Sequence, residues 1–249
     1  MTLELTDGLQ ESILDMHVHT SGASSDSTLD PDELPAIARE AGLTGVNISE
    51  HDKVWERGRQ SAYRGRHREL FVNFAMEIST DLGHMIAIGL TEYVGGIRRA
   101  ERLREALNEV GGFLIVAHPF RHVFDPVTAM RTGGEPFDLA PEAAAELPVF
   151  QLVDAIEIAN ASNTERENEF ASEVAKVRGI PGSGGSDAHS GSGVGRFATG
   201  FEREVSTSEQ LLEELHAGRF EAVHRTAGLR VVRFEAGSLA AGEAEAARG

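Results

Sequence analysis

The chain contains no cysteine. Disulfides, thiolate zinc sites and a cysteine nucleophile are therefore excluded. Positive charge is scarce as well: 23 Lys and Arg stand against 40 Asp and Glu, a formal net charge of −17. An acidic surplus of that size opposes non-specific attachment to a phosphate backbone, so duplex nucleic acid is not an expected partner. Long apolar runs are missing too. None approaches the roughly 20 residues of a membrane span, and no membrane partner is expected. The opening segment MTLELTDGLQ lacks a basic stretch followed by an apolar one. No secretory signal is expected there, and a cytoplasmic location is the default.

What is present suits a globular protein with a real core: 249 residues, 41% of them hydrophobic. Short β-rich runs alternate with helical stretches. SILDMHV, LTGVNIS, LFVNFAMEI, HMIAIGL, FLIVAHP, DAIEIAN and IPGSGGSDAH read as strands or strands entering loops. PDELPAIAREAG, IRRAERLREALNEVGG, NTERENEFASEVAKVRG and TSEQLLEELHAG read as helices. STDLG joins two of the strands as a hairpin turn, and RFEAVHRT and LRVVRFEAG end the folded part. This alternation predicts an α/β protein built on a parallel sheet, open or closed into a barrel. Residues 1–237 read as one domain, with 121–149 an excursion over the site. The low-complexity tail 238–249 reads as a flexible end.

The chemistry lies at the ends of the strands. His17 and His19 are two residues apart where the first strand's apolar run stops, so both face one side. The next strand ends in Glu50, His51 and Asp52, and the one after carries Glu77 inside an apolar run. His84 opens the hairpin's second strand. His118, Arg121 and His122 follow FLIVA, Glu157 and Asn160 follow DAI, and Asp187 and His189 close the set. Seven of the ten histidines fall at these positions. Parallel α/β folds gather strand C-termini at one mouth, where active sites are built. Imidazoles and carboxylates meeting there would suit zinc, manganese or iron. Separately, His118 before a proline, or Asp187 and His189 after a glycine-rich strand, would pass as structural residues. Glu77 is harder to dismiss, because a buried carboxylate needs a partner.

The stretches DMHVHTSGASSD, GLTGVNISEHD, AMEIS, HMIAIGL, AHPFR, IEIANA and GSDAHSGSGVG, in that order over about residues 12–200, resemble the PHP (polymerase and histidinol phosphatase) family, in its stand-alone phosphoesterase branch. The resemblance implies a distorted (β/α)7 TIM-like barrel with two or three divalent ions (Mn, Zn or Fe) at the strands' C-terminal ends. Carried over by motif, the ligands are His17, His19, Asp26, His51, Glu77, His84, His118, Asp187 and His189, with Glu77 as the bridge. Two features depart from the family's pattern. Glu50 stands where an aspartate is common, and the turn between Glu77 and His84 is short. Asp30 competes with Asp26, and a helix cap is the ordinary role for either.

The expected activity is hydrolysis of a small phosphate ester, whether nucleotide, short oligonucleotide or phosphomonoester, by a metal-activated water. Asp187 or a histidine such as His122 would move the proton. Arg121 could grip phosphate bidentately or form a surface salt bridge. Arg196 and Asn160 complete the phosphate candidates, although Asn160 could instead orient a neighbour. His122 could equally be a loop residue. Amidohydrolase-type cleavage of a C–N bond and a non-catalytic metal-stabilised scaffold are the alternatives. Trp55 and Tyr63 lie in a segment with five arginines between 57 and 68, readable as a lid or, more simply, a solvated helix. His67, His216 and His224 carry no assigned function.

Overall fold

The computed structural model describes residues 11–132, 137–225 and 231–235. Strand β1 (Ser12–Val18) is buried at every position, as expected of a strand covered on both faces. Strands β2 (Gly45–His51) and β3 (Phe71–Thr80) follow it in parallel. The chain then reverses, and β4 (Gly83–Ile88) returns antiparallel, pairing His84 with Ser79. Reversal places the start of β4 at the same end as the finish of β1, β2 and β3. Strand β5 (Phe113–Val116) is antiparallel to β4, while β6 (Ala155–Asn160) and β7 (Gly182–Gly185) run parallel to β5. On the far side of β1 stand β8 (Phe197–Phe201), β9 (Phe220–Arg225) and β10 (Val231–Arg233), all in antiparallel pairs.

The α/β class therefore holds, in one mixed sheet of order β10-β9-β8-β1-β2-β3-β4-β5-β6-β7. An even seven-fold repeat does not appear: among the described residues the sheet has ten strands, several of them antiparallel. Strand β8 is not legible in the sequence, because FATGF follows a glycine-rich stretch, contains Gly200 and offers only five residues of pattern.

Helices α1 (Leu34–Glu40), α2 (Arg57–Arg66), α3 (Ala100–Val110), α4 (Pro126–Thr132), α5 (Pro141–Ala144), α6 (Glu165–Arg178) and α7 (Ser208–His216) connect the strands. Helix α3 ends at Gly111 and α6 at Gly179, both left-handed, the conformation that terminates a helix most cheaply in glycine. Leu211 and Leu215 of α7 pack with Leu14, Met16, Ile86 and Ile115 in one buried cluster. Phe124 and Phe137, from the described parts of 121–149, pack on α6 together with Phe120, all three set edge-on around Phe170. Among the described residues no helix is long and apolar enough to cross a membrane. The tail 238–249 lies outside the described residues.

What positions the site is the curl of the sheet. Past the end of β7, the Asp187 N–H donates to the His17 carbonyl at 2.8 Å, the His19 N–H to the Ala188 carbonyl at 3.0 Å, and Val18 bridges Ala188 in parallel. The seam is tight enough to require glycine. A Cβ on Gly184 would lie 2.2 Å from the Ala198 carbonyl oxygen, and one on Gly185 would lie 2.5 Å from His17 Cβ. Gly185→Ala should therefore overpack the seam and cost about 1–3 kcal/mol. The check is a thermal melt, and an unchanged Tm would mean that β7 can move away from β1.

Candidate metal centre

Every motif histidine sits where the curl brings strand ends together. The pairing of β1 with β2 is irregular between Asp15 and Val18, just where the two histidines occur. Buried Asp15 clamps this end of the strand: Oδ1 accepts the N–H groups of His17 (3.2 Å) and Ser186 (2.9 Å), and Oδ2 accepts that of Gly195 (2.9 Å). Burial pushes the Asp15 carboxyl up to about 6, against the pull of those hydrogen bonds.

Glu77, 1% exposed, is the hub. Its Oε1 lies 2.9 Å from His84 Nδ1, 3.0 Å from His118 Nε2 and 3.5 Å from His17 Nε2. Its Oε2 lies 2.9 Å from His51 Nδ1 and 3.3 Å from His19 Nε2. Asp187 Oδ1 completes this part, 3.2 Å from His19 Nε2 and 3.4 Å from His17 Nε2. Four groupings of donor atoms could each hold an ion: His17, His19 and Glu77; His17, His118 and Asp187; Glu77, His84 and His118; and His19, His51 and His189.

These residues fit a metal. Donor atoms bound about 2.1 Å from one ion stand about 3.0–3.4 Å apart, close to the spacings seen here. More telling is Glu77 Oε2, which is buried and has no hydrogen-bond partner although two ring nitrogens are close by. An unsatisfied buried carboxylate oxygen is costly in a protein interior, and a cation would satisfy it.

Asp26, although 56% exposed, stands 3.1 Å from His51 Nε2 and 3.4 Å from His189 Nε2. Asp30, its competitor, accepts the Asp32 N–H in a local turn instead. His84 reaches Glu77 despite the short turn, with its side chain 43% exposed. Glu50 joins none of the groupings. It accepts hydrogen bonds from the Thr20 N–H and hydroxyl, the Ser24 hydroxyl and the Trp55 indole, and so fixes the loop after β1. Trp55, just before α2, and Tyr63 within it are buried: Arg59 stacks on Trp55 at 3.6 Å, and the Tyr63 hydroxyl donates to the Pro31 carbonyl at 2.6 Å.

The phosphate candidates separate. Arg121 is no surface salt bridge. Its Nη2 donates to Asp187 Oδ2 at 2.6 Å and to Asn160 Oδ1 at 2.9 Å, and its Nε donates to Asn163 at 3.0 Å. Asn160 is not free to bind phosphate, because its amide nitrogen donates to Glu157 and its oxygen accepts from Arg121 and the Ser162 N–H. Arg196 is exposed and takes no part in the contacts of this cluster: its backbone N–H donates to the Gly193 carbonyl and its own carbonyl accepts from the Arg225 N–H. His122 is exposed and held through its backbone N–H by Glu167. Sequence reasoning missed a partner for His17. Glu157 stands at a strand end in the sequence, but only the fold shows its carboxylate 3.0 Å from His17 Nδ1.

The backbone is strained around this mouth. The non-glycine residues with left-handed φ among those described are Asp52 (51°), His118 (30°), His122 (62°) and Asp187 (53°). Such outliers gather where the surroundings over-determine a conformation, often at functional sites.

Charge follows the same geometry. Burial disfavours a proton on His17, but Glu157, Asp187 and Glu77 outweigh it and hold its pKa well above the ordinary 6.5. His51 is raised by its Glu77 contact, against burial. Burial lifts Glu77 and Asp187, yet the surrounding histidines, with Arg121 at Asp187, hold both below their ordinary range. In metal-free protein, the stability from His17 and His51 is complete below about pH 6.5 and is lost as pH rises through their raised values. That from Glu77 and Asp187 is present above about pH 4 and is lost as pH falls through their depressed values. Thermal melts in chelator should therefore peak between these limits. An ion must displace the histidine protons, so zinc affinity should climb between about pH 6 and pH 8. A flat zinc titration over that range would contradict the assignment.

A family model described as PHP-associated matches residues 165–220, the stretch that carries Asp187 and His189. A two-domain protein from Bacteroides vulgatus, containing a predicted PHP-like metal-dependent phosphoesterase, superposes with a TM-score of 0.58 at 16% identity, over 89% of this chain and 68% of its own. The fold is PHP-like. The resemblance read from the motifs is borne out by both findings. The PHP-like fold is shared with PsfC from Pseudomonas syringae (TM-score 0.54, 19% identity, 81% of this chain and 87% of that one). It is shared too with an amidohydrolase from Chromobacterium violaceum (TM-score 0.54, 15% identity, 88% and 97%). No curated protein matches the sequence.

Proposed function

We propose that the chain is a PHP-type metal-dependent phosphoesterase, its curled sheet a distorted form of the (β/α)7 barrel, acting on a small phosphorylated compound. One observation carries this reading: the two oxygens of buried Glu77 face nitrogens of His17 and His19 at the end of β1, His51 of β2, His84 of β4 and His118 beyond β5. A structural carboxylate needs one partner, not five. His17, His19, Glu77 and Asp187 would hold one ion, Glu77, His84 and His118 a second, and His51, His189 and Asp26 a third. Divalent manganese, zinc or iron, when bound, would supply a nucleophile at neutral pH and Lewis acidity at phosphorus.

The chain's own residues do the rest. Asp187, held deprotonated by its histidines and Arg121, suits gripping a cation better than taking a proton. Arg121, 22% exposed beside it, would place positive charge where the transferring group gains negative charge. His122, exposed at the mouth next to Arg121, is the candidate donor to the leaving oxygen. The acidic surplus of the whole chain favours a small substrate over duplex nucleic acid. Amide hydrolysis could use the same cluster, but a guanidinium at the site favours a phosphoryl group.

The test is elemental analysis of purified protein, followed by hydrolysis assays on phosphomonoesters, phosphodiesters and amides. Assays run before chelation, after it, and after metal is restored. Phosphoester hydrolysis that vanishes with chelator and returns with manganese, zinc or iron is the expected result. Metal-loaded protein that cleaves amides and no ester would overturn the reading.

A further inference from the structure

Glu157 belongs to none of the ion-holding groupings, yet three hydrogen-bond donors converge on its buried carboxylate. His17 Nδ1 lies 3.0 Å from Oε1, while the His118 N–H (2.8 Å) and the Asn160 side-chain amide (2.9 Å) donate to Oε2. From there the contacts form a closed circuit. Asn160 Oδ1 accepts from Arg121 Nη2 at 2.9 Å, the same nitrogen donates to Asp187 Oδ2 at 2.6 Å, and Asp187 Oδ1 faces His17 Nε2 at 3.4 Å. The circuit has little room to relax. Asn160 is pinned to α6, its N–H donating to Asn168 Oδ1 and its carbonyl accepting from Asn168 Nδ2. Gly185 lies so close that a Cβ on it would come within 2.9 Å of Glu157 Oε1.

We propose that Glu157 is a positioning residue for the metal centre. It keeps the ring proton of His17 on Nδ1, so that Nε2 offers its lone pair, and through Asn160 and Arg121 it sets the carboxylate of Asp187 toward the same ion. The proposal rests on the metal-centre reading above. The chemistry requires a carboxylate here. A glutamine could accept from His17 only by turning its NH2 against the His118 N–H and the Asn160 amide, both donors. Turned the other way, it would donate to Nδ1, move the His17 proton to Nε2 and remove a ligand lone pair. Partners of this kind fix the tautomer and orientation of a metal-binding histidine, and losing one typically costs 10–100-fold in metal affinity.

The test uses the full chain, with zinc alone as probe. Affinity is read by competition with a chromophoric chelator, and the His17 tautomer by nitrogen-15 NMR of zinc-loaded protein. The native chain should show a protected Nδ1 proton on His17. Glu157→Gln should lose that proton and bind the first equivalent of zinc about 10–100-fold more weakly. Asn160→Ala cuts the link to Arg121 but leaves the His17 contact, so it should keep the Nδ1 proton and weaken zinc several-fold. It also serves if the glutamine variant does not fold. Unchanged zinc affinity in both variants, or a His17 proton on Nε2 in the native chain, would overturn the proposal and leave the metal centre standing. Failure of the native chain to bind zinc would instead overturn the metal-centre reading, and this proposal with it.

Discussion

Glu77→Ala should empty more than one metal position at once. The Glu77 side chain touches donors from β1, β2 and β4 and His118 beyond β5, with different nitrogens on each oxygen. A ligand serving one ion would release one ion, whereas a shared carboxylate releases its neighbours too. Phosphoester hydrolysis should fall by more than the roughly 10²–10³ that one oxyanion-stabilising donor is worth, because the ions would supply both nucleophile and charge stabilisation. Elemental analysis beside steady-state kinetics decides it. Loss of a single equivalent, or substantial activity in the variant, would show that Glu77 does not bridge.

The second large effect belongs to Arg121. Its Nη2 is shared between Asp187 and Asn160, so the residue sits inside the site and has a structural task before any substrate arrives. Arg121→Ala should lower kcat/KM by roughly two to four orders of magnitude. Removing the guanidinium also frees Asp187, so part of that loss should be recovered at saturating metal and part should not. Arg121→Lys keeps a positive charge but not the fork, and should fall between. If kinetics at saturating metal match the native chain, Arg121 acts only on Asp187 and the phosphate contact must be sought elsewhere.

The sequence alone determined where the polar residues would stand. SILDMHV has an apolar run that ends in histidines two apart, and period two puts both on one face whatever the topology. Alternating strands and helices with ligand-type side chains at one end of each strand sufficed to infer a shared mouth, and Glu77 inside an apolar strand already required partners. Those are local regularities, legible because strand and helix periods are short. The tertiary structure decided the rest. Glu157 and His17 are 140 residues apart, and Asp15 reaches Gly195 across 180. No period links such positions, and only the curl that seats glycine-rich β7 against β1 makes them neighbours. For the same reason the direction of Arg121 toward Asp187, and the use of Asn160 as a link and not a phosphate contact, were not legible. Each depends on which hydrogen-bond partners remain once the sheet has closed.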